Sequence, residues 1–348
     1  RFGFREFTID GRDFVLNGRR IHLRALHSSN INGAADIASI EGCRNTCRRL
    51  ASHGFNFLIT ANYNFGPGAV SYMDALFDAC DESGILAAFS LPHAKDFAWK
   101  LDTPEQSARY RALCEWLIRR AQNHPSIVLY SMNHNATGYY GDQNPLRIDG
   151  VYEPRFPPTP ASDPKAPPKL DSRTRNRTQA QLAADIAKSF DPTRPVYHHQ
   201  SGNLGDLYTV NIYLNWAPLQ ERSDWLEHWS AHGKKPLFFV EWGLPHVSSW
   251  SSFRGPAFIW RNPALQQIWD SEFAAAYKGE GAYEMTESKV SSMKWEEELW
   301  AKGEPFYWSN LIRHLRSQDE NYTEIQALFA ADNWRSHRTW GISAMLPW

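Results

Sequence analysis

Lys235 to Gly243 reads KPLFFVEWG, and the reading of this stretch decides the fold. Pro236 opens it, Leu237, Phe238, Phe239 and Val240 make an unbroken apolar run, and Glu241 and Trp242 stand at its end. A short apolar run between turn formers predicts a strand buried on both faces, which is the habit of parallel sheets covered by helices. A carboxylate at the end of such a strand is costly to bury unless something pairs or uses it. In a barrel of parallel strands the C-terminal strand ends are where reactive groups gather. Glu241 is therefore the first candidate catalytic residue.

Working outward, the rest of the chain repeats an alternation of strand and helix. Residues 1–26 alternate apolar and polar side chains and carry Asp10-Gly11 and Asn17-Gly18, two hairpin signals. Ile21–Leu26 is a first barrel strand ending at His27-Ser28-Ser29. A helix over Glu41–His53 follows, stopped by Gly54. Further strands are expected at Phe55–Thr60, Ile85–Ser90, Ile127–Met132, Val196–His199, Tyr208–Tyr213 and Gly341–Trp348. Between them, helices are expected at Tyr72–Ser83, Thr103–Asn123, Arg175–Phe190, Ser223–His232 and Thr323–Arg338. A proline-rich loop occupies 152–170, and a long helical insertion, including Ala264–Tyr277, separates the seventh and eighth strands. Eight strands alternating with helices predict an α/β fold, a (β/α)8 TIM barrel with a short N-terminal β lead-in.

Composition narrows the function. The net charge of −1 over 348 residues gives no footprint for nucleic acid or an anionic membrane. No apolar run approaches the roughly 20 residues of a membrane span. The four cysteines, Cys43, Cys47, Cys80 and Cys114, form no CxxC pair and read as buried thiols. Fifteen tryptophans within 14% aromatic content serve both core filling and the stacking of apolar sugar faces. The chain starts at Arg1 and ends on an apolar strand, so it reads as a single barrel cut from a longer protein.

LNGRRIHLRAL, GFNFLI, LFDACDESGIL, NHPSIVLYSM, DPTRPV and KPLFFVEWG follow one another in this chain. In that order they resemble the catalytic barrel of glycoside hydrolase family 2, the family of β-galactosidases, β-glucuronidases and β-mannosidases. The resemblance implies upstream β-sandwich domains, a carbohydrate substrate, no cofactor, and a periplasmic or extracellular setting. It implies retaining hydrolysis by two carboxylates about 5 Å apart. Glu241 then matches the nucleophile, Tyr213 the tyrosine that bonds it, and Trp348 the tryptophan flooring the sugar site.

The fourth strand departs from the family pattern. Its end carries His134 and Asn135 where the family has Asn-Glu, and an amide has no proton to give at useful acidity. Asn135 is left as a hydrogen-bonding partner for sugar hydroxyls. The second strand has Ile59 and Asn62 in place of the usual Arg and His. Three explanations compete: another acid takes the role, the leaving group needs little help, or the barrel only binds glycans. Among replacement acids Glu284, flanked by Ala282, Tyr283 and Met285, is favoured over Asp142, Asp149 and Glu287, with His134 a second option. His27, His93, His134, His198, His199 and His246 all fall at or just after strand ends. A metal needs about three converging ligands. The reading preferred here is that these histidines bond sugar hydroxyls or carbonyls, with no metal. Candidate substrate-binding residues are thus His27, Asn62, His93, His134, Asn135, His199, Tyr213, Trp242 and Trp348.

Overall fold

The computed structural model describes residues 3–28, 39–60, 72–132, 144–149, 172–212, 214, 219–242, 276–277, 279–283, 301–302 and 320–347. The chain forms two compact units. The first comprises Arg1–Asn211, Ala231–Glu241 and Ile342–Pro347; the second comprises Ile212–Ser230, Trp242–Gly341 and Trp348.

The first unit opens with a three-stranded antiparallel sheet of β1 (Phe7–Asp10), β2 (Asp13–Leu16) and β3 (Arg19–Ile21). Both sequence signals make its turns. Gly11 has φ +56°, and Asn17 and Gly18 are both left-handed at +50° and +74° between the paired residues Leu16 and Arg19. Two positive φ values in a two-residue loop define the hairpin turn whose twist matches its strands.

The barrel strands follow: β4 (Leu23–His27), β5 (Phe57–Ile59), β6 (Leu86–Ser90), β7 (Ile127–Met132), β8 (Val196–His198), β9 (Tyr208–Ile212), β10 (Leu237–Trp242) and β11 (Ala344–Pro347). They make one sheet in the order β8-β7-β6-β5-β4-β11-β10-β9. That is the cyclic order of a (β/α)8 barrel, as the alternation predicts. Every residue of β5, β6, β7, β8, β9 and β10 is buried, so the continuous apolar runs are explained by cover on both faces. Inside, Phe238 of β10 meets Phe57 of β5 edge-on and Tyr197 of β8 at 5.4 Å between ring centroids.

Outside lie α1 (Ile40–Ser52), α2 (Tyr72–Ser83), α3 (Pro104–Ala121) and α4 (Ser172–Phe190). Ser39 caps α1, its Oγ accepting from Gly42 N at 3.0 Å, and Gly54 ends it at φ +83°. Cys43, Thr46, Cys47 and Leu50 form the buried stripe of α1. All four cysteines are buried free thiols, as expected, with Cys47 Sγ 3.8 Å from Cys80 Sγ.

Among the described residues no ladder pairs β8 with β9, and residues 199–207 fill that seam. Gly202 pairs antiparallel with Thr209, and Gly205 pairs antiparallel with Tyr197. Asp206 N donates to Val196 O at 2.9 Å, and Lys235 Nζ donates to Asn203 O and Gly205 O at 2.8 and 2.9 Å. The chain climbs β8, descends through 202–206 and climbs again in β9. Gly205 is required in this return: its φ is +85°, and a Cβ there would stand 2.7 Å from Val196 O.

At the other end of the barrel the N-terminal lead-in is clasped to the start of β7. Arg5 donates from Nε to Pro125 O at 2.9 Å and from Nη2 to Ile127 O at 2.7 Å. Arg194 also donates to Ile127 O, at 2.7 Å, and pairs with Asp191 at 2.6 Å, which accounts for the DPTRP motif. Burial, with Arg194 nearby, brings the Arg5 pKa down to about 10.

The second unit contains α5 (Leu219–Arg222), most of α6 (Glu227–His232) and α7 (Glu320–Thr339). Of the helix expected over Ser223–His232, only Glu227–His232 forms, as α6; residues 223–226 are a turn, and α5 lies ahead of the expected span. The Ser223 carbonyl is taken by side chains of the C-terminal segment, Ser336 Oγ at 2.8 Å and Trp340 Nε1 at 2.6 Å. The expected insertion lies mostly outside the described residues; within it residues 276–277 are helical, at the end of the helix expected over Ala264–Tyr277, and Gly279–Tyr283 is a short 3-10 helix. The loop at 152–170 lies outside them as well.

Gly205→Ala should destabilise more than Gly11→Ala. Both lose a left-handed glycine, worth about 1–2 kcal/mol, but no atom lies within 4 Å of a Cβ at Gly11. Urea unfolding of the two variants compares them directly; equal losses would show that the seam yields without strain.

Candidate active site

Glu241 lies at the C-terminal end of β10 and is fully buried. Its Oε1 is 2.9 Å from Nε2 of His199, and the two side chains are 1% and 3% exposed. The interaction spans 42 residues of sequence. It answers the first question raised by the strand, since a buried carboxylate needs a compensating partner.

The fold-back at the β8–β9 seam positions that partner. His199 follows the last residue of β8, and its N–H still donates to Met132 O of β7 at 3.0 Å. Tyr197 and His199 are two apart, hence on one face of an extended chain. Both reach β10, Tyr197 at Phe238 and His199 at Glu241. The chain then turns sharply at Gln200, a non-glycine residue with φ +54°. Thr209 fastens both sides of this turn: its Oγ1 donates to His198 O at 2.6 Å and accepts from Ser201 N at 2.9 Å.

Further strand ends surround the pair. His27, ending β4, is 5% exposed, and burial lowers its pKa to about 4, assisted by His199 and opposed by Glu241. His93, after β6, is also brought to about 4, chiefly by burial, with Asp96, Lys95 and His199 as lesser influences. His93 Nε2 has no hydrogen-bond partner among the described residues. His198 is fully buried and falls to about 3, with Arg177 and His93 beside it. His27, His93 and His198 are therefore neutral imidazoles near neutral pH, each with one donor and one acceptor nitrogen.

The expected site residues divide clearly. Glu241, His199 and His27 come within electrostatic reach of one another, and His93 within reach of His199. Trp242 belongs to the second unit, where it is 3% exposed and packed against Trp334 and His337. Asn62, His134, Asn135, Tyr213, His246, Glu284 and Trp348 lie outside the described residues, as do Asp142 and Glu287. Asp149 is misplaced for an acid: its carbonyl accepts from Lys234 N at 3.0 Å. Lys234 is seven residues before Glu241, roughly 20 Å along an extended strand.

Among the described residues, Asp78, Asp81 and His124 alone group with metal-ligand spacing. Asp81 is already engaged there, accepting from Ser126 N at 2.9 Å and pairing with His124 Nδ1 at 2.8 Å. The sequence missed the direct bond between His199 and Glu241. The only available signal was HHQSGN itself, a histidine followed by turn formers at a strand end.

No family model matches the chain. A curated β-glucuronidase from Paenibacillus borealis is 22% identical over 273 residues, covering 71% of this chain and 39% of the relative. This chain thus spans well under half of that relative's length. A β-glucuronidase structure from Ruminococcus gnavus, in complex with D-glucuronic acid, matches 100% of this chain and 46% of its own. Its TM-score is 0.51 at 15% identity, which shows a shared fold. A GH2 β-galacturonidase from Eisenbergiella tayi aligns more loosely, over 80% of this chain and 45% of its own, at 19% identity and TM-score 0.47. The resemblance drawn from six ordered motifs is met by a sequence relative, and the barrel by a fold match along this chain.

Acid should weaken the fold through the buried histidines. The folded chain favours neutral His27, so this stabilisation is complete above the ordinary pKa of 6.5 and is lost as pH falls towards about 4. His27→Gln should remove up to about 3 kcal/mol of the stability lost between pH 7 and pH 4. Urea unfolding at several pH values checks this; an unchanged pH slope would show that His27 does not contribute.

Proposed function

We propose that this barrel is the catalytic part of a retaining β-glycosidase acting on an oligo- or polysaccharide, with Glu241 as nucleophile. The observation that carries the reading is the Glu241 carboxylate, buried at the end of β10 and bonded by His199 at 2.9 Å. The similarity to β-glucuronidases supports the same class of reaction. In this reading Glu241 attacks the anomeric carbon as the glycosidic oxygen leaves, and water then releases the sugar with its configuration retained. Neutral imidazoles at His27 and His93 suit sugar hydroxyls, since each can donate and accept. No metal or cofactor enters the scheme, and the resemblance supports a periplasmic or extracellular setting.

The acid/base role falls to a group other than Asn135. Asp149 is removed by its position at the far end of β10. Glu284 is retained as the proposed acid, with His134 as the second choice. A glycan-binding barrel without turnover is the alternative, and Asn135 is the observation in its favour.

An activated 2-fluoroglycoside panel should label Glu241 covalently, with Glu241→Gln giving no adduct by intact mass and peptide mapping. If no sugar labels the protein while glycans still bind, the alternative reading stands. Asn135→Glu should raise hydrolysis of substrates with poor leaving groups by about 10²-fold or more if acid assistance is lacking. It should change little if Glu284 already supplies the proton.

A further inference from the structure

We propose that His199 is a positioning residue: through its Nε2–H it holds the Glu241 carboxylate ionised and fixed in direction. This deepens the preceding reading and rests on it where Glu241 is named as nucleophile.

The geometry decides between two roles for the imidazole. An acid opposite the nucleophile in a retaining pair stands about 5–5.5 Å from it, and in an inverting pair about 6.5–9.5 Å. His199 Nε2 is 2.9 Å from Glu241 Oε1. No sugar ring fits between the two, so His199 acts on the carboxylate and not across the scissile bond.

The surrounding backbone is constructed to keep the ring there. Met132 O holds the His199 N–H, and Thr209 Oγ1 bonds to His198 O and Ser201 N on either side. Arg177 Nη1 donates to Ser201 O at 2.7 Å, and Gly202 and Thr209 exchange two main-chain bonds at 2.8 and 2.9 Å. The positive φ of Gln200 lies inside this frame. A non-glycine residue in that conformation persists only where its surroundings over-determine it. The arrangement uses the β8–β9 seam as a bracket for a single side chain.

The titratable groups facing this pair among the described residues are His27 from β4 and His93 from the segment after β6. Arg177 of α4 stands behind, beside His198. His27 and His93 are neutral above about pH 5, so they supply no cation to replace an imidazole lost at position 199.

The test pairs unfolding with labelling in His199→Phe, His199→Gln and the double variant His199→Phe/Glu241→Gln. In His199→Phe the carboxylate loses the His199 donor, and its folded pKa should rise. Relative to wild type, stability should then fall as pH increases from 5 to 8.5, measured by urea unfolding. The double variant should show no such slope, because the ionisable group is gone, and His199→Gln, which keeps an N–H donor, should lie between. The acid limb of Glu241 labelling by the fluoroglycoside should move up by at least one pH unit in His199→Phe and less in His199→Gln. A His199→Phe protein with the wild-type pH slope overturns the proposal. If His199→Phe does not fold, a wild-type slope and acid limb in His199→Gln and His199→Ala together overturn it. The unfolding slopes without any labelling uphold the His199 role and sink the glycosidase reading instead.

Discussion

An ionisable carboxylate sealed at the end of an apolar strand is the constraint from which the arrangement of this molecule follows. β10 is buried along its whole length, so Glu241 has no water to solvate it and must find its partner within the protein. The partner is the histidine just after another strand, which binds the end of β10 to the end of β8. For that bond to exist, β8 must stop at the right height and turn the chain immediately afterwards. The turn at Gln200, the clasp by Thr209 and the return through Gly205 accomplish this. A local electrostatic demand therefore reaches into how the barrel wall is completed.

Much of this architecture was legible because its signals are local. Continuous apolar runs gave the barrel strands, and helix stops such as Gly54 and Gly84 act at the residues themselves, both at positive φ. Ile127–Met132 and Tyr72–Ser83 were read with the bounds observed. The break between α5 and α6 was not legible, because Ser336 and Trp340, more than a hundred residues on, take the Ser223 carbonyl. The seam at β8–β9 escaped for a related reason. QSGNLGD, between the strands expected at Val196–His199 and Tyr208–Tyr213, reads as a loop, and its antiparallel pairing exists only once both neighbouring strands stand in the sheet. Within the site, Glu241 was found because a charge in an apolar run is conspicuous. His199 was expected at the mouth, but its bond to Glu241 depends on a register that no local pattern encodes.

The chemical character of the site follows from which groups keep their charge. Burial strips His27, His93 and His198 of their protons near neutral pH. What results is a set of imidazoles able to give and take hydrogen bonds without adding positive charge.

The clasp at the opposite end bears on how the chain assembles. Arg5 reaches acceptors 120 and 122 residues further along, Pro125 and Ile127. The loop closed by these bonds contains the first three barrel strands and the helices α1, α2 and α3. A chain growing from its N-terminus cannot make the clasp until β7 has begun to emerge. Until then the lead-in hairpins can close on their own turns, but Arg5 has no barrel floor to grip. The Arg5 clasp thus forms only after the closure entropy of a long loop has been met by the first barrel strands pairing in turn.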